Sequence, residues 1–275
     1  MRLDAHQHFW KYSVSEYGWI NDNMAALRRD FLPQDLEPLL AAESIDGSIA
    51  VQARQSLEET RWLLELAAHN EIVKGVVGWV DLRSPDLPAQ LHQFAQNPKL
   101  VGVRHVVQDE PDNDFMLRSE FRRGIARLRE YDLAYDILIF PRQLPAAAKL
   151  AHEFPDQRFV LDHIAKPSIA EGLLAPWDQG MRELAKASNV WCKLSGMVTE
   201  AHWHEWKSED FRPYLEVVLN TFGAARLMIG SDWPVCTVSA PYNRTMALVR
   251  DYITSLSAKE QELILGENCA CFYRV

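Results

Sequence analysis

The sequence predicts a single (β/α)₈ barrel, and three observations carry that expectation. Short apolar and β-branched runs recur along the whole chain, each followed by a stretch of helical periodicity, which is the pattern of parallel β-α units. Eight such runs are present, the number that closes a barrel. The length of 275 residues matches the roughly 250 typical of the fold, so one domain over residues 1–275 is expected. After the first run, His6-Gln7-His8-Phe9-Trp10 stands where an open dinucleotide-binding sheet would place G-x-G-x-x-G, which disfavours the doubly wound alternative.

In chain order the expected strands are Arg2 to His6, Gly47 to Ala53, Val73 to Asp81, Leu100 to Val107, Leu133 to Phe140, Arg158 to Lys166, Asn189 to Gly196 and Arg226 to Asp232. Between them, Leu57 to His69 sets Trp62, Leu63, Leu66 and Ala67 on one helical stripe, and Phe121 to Tyr131 does the same with Ile125 and Leu128. Pro85, Pro145 and Pro213 are placed near helix starts, where a missing N–H is harmless. Two connections exceed the usual two to six residues. The loop after strand one, Phe9 to Leu32, carries Trp10, Tyr12, Tyr17 and Trp19; the loop after strand seven, Met197 to about Ser208, carries His202, Trp203, His204 and Trp206. Both belong to the carboxyl-terminal mouth of a barrel, where active sites lie, so their aromatic residues are candidate pocket walls as well as rim packing.

Composition narrows the partners. A net charge of −9 leaves no basic stripe for nucleic acid. No apolar run approaches the 18 or so residues of a membrane span, and charged residues and histidines stand where a signal peptide needs an apolar segment, so a soluble cytoplasmic protein is expected. Cys192, Cys236, Cys269 and Cys271 lack the spacing of a zinc ribbon or a disulfide scaffold and are expected to be reduced thiols. Self-association into a homo-oligomer is compatible with the sequence.

The chemistry-bearing residues gather at strand ends. His6 and His8 are two apart on strand one, so both rings face one side, with Asp4 expected below them on the same face. Buried imidazoles that converge on one point are readily satisfied by a divalent ion. The last strand ends in Gly230-Ser231-Asp232-Trp233-Pro234, and closure brings Asp232 beside the histidines, completing an N, N, O donor set suited to zinc first and manganese second. His163, at the end of strand six, is either a further ligand or a donor to a substrate carbonyl. Arg54, Arg104, His105 and Lys166 follow or end strands and are candidates for binding substrate polar groups, together with Trp10, Trp19 and His202 from the long loops. For His202, packing on the rim is the first reading and substrate contact the second. His69, His92 and His152 fall on helices and are assigned no function.

These residues give the chain its resemblance to the amidohydrolase superfamily, in its sugar-lactone hydrolase branch typified by L-fuconolactonase and L-rhamnonolactonase. The likeness rests on Asp4-Ala5-His6-Gln7-His8-Phe9-Trp10, Gly102-Val103-Arg104-His105, Asp162-His163-Ile164-Ala165-Lys166-Pro167, Lys193-Leu194-Ser195-Gly196, Gly230-Ser231-Asp232-Trp233-Pro234 and Gly266-Glu267-Asn268 leading to Phe272-Tyr273. The resemblance implies that His6 and His8 are the strand-one metal ligands, His163 the strand-six histidine and Asp232 the strand-eight aspartate. Strand five reads Ala134-Tyr135-Asp136-Ile137-Leu138 without the histidine of binuclear members, which implies one metal ion rather than two. The expected reaction is metal-dependent hydrolysis of a sugar-acid lactone to the open-chain aldonate, with Asp232 moving the proton and His163 at the carbonyl. Metal-independent hydrolysis of an anionic lactone, decarboxylation of a small unsaturated acid, and ligand binding without turnover are the alternatives.

Overall fold

Eight strands pair in chain order as one parallel sheet: β1 Leu3–Gln7, β2 Gly47–Val51, β3 Val73–Gly78, β4 Leu100–Val106, β5 Ala134–Leu138, β6 Phe159–Leu161, β7 Val190–Leu194 and β8 Leu227–Ile229. The computed structural model describes residues 1–275. Just beyond β8 the sheet closes on itself, where the Asp232 amide donates to the His6 carbonyl at 2.8 Å and the His8 amide to the Trp233 carbonyl at 2.7 Å. The strands are buried almost throughout because they are covered on both faces, which is why they read as apolar runs rather than as alternating ones.

The helices that cover the outer face are α1 Pro33–Ala42, α2 Leu57–His69, α3 Leu87–Phe94, α4 Ser119–Leu128, α5 Leu144–Glu153, α6 Trp177–Leu184, α7 Ser208–Phe222 and α8 Tyr242–Tyr252; α9 Ala258–Glu262 and α10 Asn268–Tyr273 end the chain. Helix α2 matches its sequence expectation and starts on Ser56, whose hydroxyl accepts from the Glu58 and Glu59 amides at 3.2 and 3.3 Å. Pro213 departs from expectation: α7 begins at Ser208, with the Asp210 carboxylate accepting from the Lys207 amide at 2.8 Å, so the proline lies inside the helix. No helix is long and apolar enough to cross a membrane.

Inside the barrel, Leu3, Ala5, Ile49, Val51, Val77, Val101, Ala134, Val160 and Met228 pack together, and Cys269, Phe272 and Tyr273 of α10 plug the amino-terminal end. A larger apolar layer fills the space between strands and helices. The interior is therefore a packed core, and any cavity is forced to the opposite mouth.

Asp4 is a correction. Leu3 and Ala5 face the barrel axis, so Asp4 faces outward and accepts from the Ser231 amide (2.9 Å), the Ser231 hydroxyl (2.6 Å) and the Tyr242 hydroxyl (3.1 Å). Register slips between the Asp4–Ser48 and Gln7–Ala50 pairs, so β1 carries one extra residue opposite β2. Such a bulge breaks the strict alternation that put Asp4 and His6 on one side, and it re-aims His6 into the mouth.

Candidate active site

His6, His8, Asp232 and His163 meet at the carboxyl-terminal mouth. His6 Nε2 lies 3.2 Å from His8 Nε2, and Asp232 Oδ1 lies 3.2 Å from His8 Nε2 and 3.8 Å from both His6 Nε2 and His163 Nε2. The four residues are buried. Burial pushes the His6 imidazole well below the ordinary histidine range and that of His163 down to about 4, so both rings are neutral near pH 7. Burial opposes ionisation of Asp232, but His163, His8 and His6 outweigh it and hold the carboxyl below its usual range.

Two turns aim these groups. After β6 the chain takes left-handed backbone angles at His163, Ile164, Ala165 and Lys166, with φ of 54°, 47°, 59° and 49°, and Asp232 after β8 has φ 57°. Such angles are costly outside glycine and are held here by the surrounding packing. They end the ladders of β6 and β8 earlier than the apolar runs predict and turn His163 and Asp232 toward β1. Gly196, also left-handed, lies against the His163 ring, where any Cβ would collide. At Gly230 a Cβ would stand 2.9 Å from that of His6. Both glycines are thus required by close approach to the site histidines.

A divalent ion fits this donor set. His8 Nδ1 is 2.7 Å from the Val51 carbonyl, which assigns it the proton in the neutral ring and leaves a lone pair on Nε2 facing the Asp232 carboxylate. Two acceptors at 3.2 Å repel unless a proton or a metal cation stands between them. His6, Asp162 and His163 form a second convergent trio, but Asp162 is already held by Arg104 at 2.9 Å and Lys193 at 3.0 Å. The trio of His6, His8 and Asp232 is the one whose carboxylate no lysine or arginine holds.

Beneath it runs a buried charge ladder that the sequence reading did not assign. Lys193 Nζ sits 2.5 Å from Asp136 Oδ2, 3.0 Å from Asp162 Oδ1 and 3.2 Å from His6 Nδ1. Arg104 bridges Asp162 and His6 Nε2, the latter at 3.3 Å, and donates to the Gln52 carbonyl at 2.5 Å; the Tyr273 hydroxyl donates to Asp136. Burial disfavours the charge of Asp162, but Lys193, His6 and Arg104 hold it well below the usual carboxylate range. Asp136 has one cation and a phenol, and burial pushes it up to about 6. The only sequence signal for the ladder was polar residues at strand positions that read as apolar.

Above the donor set opens a cavity of about 580 Å³, lined by His8, His163 and Asp232 together with Arg54, Arg104, Lys166 and Trp19. Glu59 accepts from the Ala53 and Arg54 amides at 3.0 and 2.9 Å and so fixes the turn that presents Arg54; it too escaped the sequence reading. Three expected substrate contacts lie elsewhere. His105 follows Arg104 and points to the other side of β4, stacked on Phe115 and bonded to Glu110 at 2.8 Å. Trp10 is fully buried under its own loop, donating to the Arg29 carbonyl at 2.9 Å. His202 is exposed and borders a separate depression beside Glu205 and Tyr214.

Comparison with known proteins extends over nearly the whole chain. A family model described as amidohydrolase matches residues 3–275. An L-fucono-1,5-lactonase of Burkholderia multivorans is 43% identical over 99% of this chain and 96% of its own length. One of Burkholderia ambifaria is 40% identical over 100% and 96% respectively. A crystal structure of a Burkholderia multivorans amidohydrolase with bound zinc superposes with a TM-score of 0.96 at 42% identity, covering 100% of this chain and 99% of that one.

Proposed function

We propose that this chain, which belongs to the amidohydrolase family, hydrolyses a neutral sugar-acid lactone to the open-chain aldonate, using one divalent ion held by His6, His8 and Asp232. The observation that carries the reading is the convergence of these three donors, with His8, Asp232 and His163 on the floor of one cavity. The L-fucono-1,5-lactonase relatives and the zinc-bound relative support the choice of substrate class and of zinc, with manganese second. When bound, the ion supplies Lewis acidity and lowers the pKa of a water toward about 7.

The protein's own residues move the remaining charge. Every contact that the fold makes with the Asp232 carboxylate falls on Oδ1, which leaves Oδ2 to take the proton of the attacking water. Neutral His163, with the Ser195 hydroxyl 2.8 Å from Nδ1, presents Nε2–H to the carbonyl oxygen as it gains negative charge. When the ring C–O bond breaks, Asp232 returns the proton to the departing alkoxide, and the new carboxylic acid ionises to release a proton.

The cavity's charge favours a neutral substrate over an anionic one. Arg104 is matched by Asp162 at 2.9 Å and Arg54 by Glu16 at 2.5 Å, and Lys166, though not hydrogen-bonded, has the Glu200 carboxylate 3.8 Å away, so each lining cation already has a counter-charge beside it. A pH-indicator screen of purified, metal-quantified protein against aldono-1,5- and aldono-1,4-lactones, simple amides and phosphate esters tests the reading. Lactone turnover without the others is expected. Faster cleavage of amides would refute it.

A further inference from the structure

Lys166 and Glu200 stand together on the cavity wall, beside the reaction centre, with hydrogen-bonding capacity that the fold does not use. Lys166 Nζ is 3.8 Å from Glu200 Oε1, too far for a hydrogen bond, and has no other carboxylate within reach. Glu200 accepts only from the Thr199 hydroxyl, at 3.4 Å. The side chains are 18% and 22% exposed, and both line the cavity that holds His163 and Asp232. Their backbones are fixed. Lys166 ends the left-handed turn with its amide donating to the His163 carbonyl at 2.8 Å, and the Ala170 amide ties the same loop to the Glu200 carbonyl at 2.9 Å. Both terminal nitrogens of Arg104, by contrast, are engaged, one with Asp162 and the other with the Gln52 carbonyl.

We propose that Lys166 and Glu200 form a specificity subsite that reads two neighbouring hydroxyls of the substrate ring. The inference rests on the lactone hydrolase reading and deepens it. A hydroxyl both donates and accepts, so an ammonium gives a hydrogen bond to one oxygen while the carboxylate takes the O–H of its neighbour. The pair is neutral overall and suits an uncharged polyol, whereas a substrate carboxylate would meet Glu200. A bare lactone of the same ring size leaves both charged groups partly desolvated without partners, which is the strongest form of rejection a polar site offers. Lys166 thus selects the substrate from the same turn that places His163 on its carbonyl.

The test compares kcat/KM for a six-membered aldonolactone with that for δ-valerolactone, which has the ring but no hydroxyls. Glu200→Leu and Lys166→Met remove the polar heads and keep side-chain bulk; thermal melts monitor their folding. In each, the preference for the aldonolactone over δ-valerolactone should shrink by about 10- to 100-fold, the effect of losing a hydrogen bond to a charged group. Lys166→Arg, which keeps a donor, should retain most of the preference. An equal loss on both substrates, or an unchanged preference, overturns the subsite and leaves the hydrolase reading standing. A wild-type protein that opens neither lactone overturns the hydrolase reading and the subsite with it.

Discussion

Replacing Lys193 by methionine deletes the central cation of the barrel ladder while keeping most of its aliphatic volume. The ammonium lies 2.5 Å from Asp136 and 3.0 Å from Asp162, with all three side chains fully buried. Asp162 would keep Arg104 at 2.9 Å, but Asp136 would keep only the Tyr273 hydroxyl, at 2.9 and 2.8 Å from its two oxygens. Deleting one partner of a buried pair costs about 3–5 kcal/mol. At roughly 2–4 °C per kcal/mol for a large domain, the melting temperature should fall by roughly 6–20 °C. The loss should depend on pH. Burial already holds the folded-state pKa of Asp136 up at about 6, above its unfolded value, so its contribution to stability is lost as pH rises through that region. Without Lys193 the carboxyl rises further, and the variant should fall further below wild type at pH 8 than at pH 5. Urea unfolding at both pH values measures this, with Asp136→Asn introduced into each background. The double variant should recover most of the loss. An unchanged melting temperature, or a double variant no more stable than the single, would refute the ladder as a coupled unit.

Elemental analysis should find close to one transition-metal equivalent per chain, because Asp162 of the second trio is already held by two cations; two equivalents would contradict the single-ion site. Asp232→Asn should fold and should lose about 10²- to 10⁴-fold in kcat, the worth of a general acid-base group. A fully metallated variant with near-normal turnover would move the proton transfer to another group. His6→Asn should lose activity chiefly with its metal, and excess zinc or manganese should restore part of it; a metal-replete but inactive protein would count against the ligand role. His105→Leu should lower the melting temperature while leaving kcat/KM near wild type, since the ring packs on Phe115 outside the cavity, and a large fall in kcat/KM would overturn that placement.

The barrel was legible because its strands are covered on both faces, so each appears as an apolar run of the right length between amphipathic helices. Helix α2 came out with both ends correct from its apolar stripe, and the Ser56 cap with its two acidic followers fixes the start in the structure. The ends of β6 and β8 were not legible, since His163 to Lys166 and Asp232 adopt left-handed angles that no residue type among them advertises. Likewise the bulge in β1 leaves no mark on the sequence, and Asp4 was placed on the wrong side for that reason. His6, His8, His163 and Asp232 come together as expected because chemistry-bearing residues at strand ends converge whatever the local detail. His105 was misplaced by the opposite circumstance: it neighbours Arg104 on one strand, and alternation sends only one of them to the cavity.

The ladder was the least legible part because it contradicts the rule that finds cores. An apolar set of equal volume would commonly be at least as stable, so stability alone does not explain Asp136, Lys193, Asp162 and Arg104 beneath the site. Their placement does. Asp162, pinned by two cations, sits 3.3 Å from His6 Nδ1, behind the ring whose Nε2 faces the donor set. The carboxylate and its cations then fix the plane of the His6 ring against rotation. Arg104 contributes to both levels at once, since it grips Asp162 inside the barrel and also lines the cavity above. The left-handed turns and the bulge aim the donor set, and the ladder braces it from below. In this barrel the polar interior is the foundation of the candidate active site.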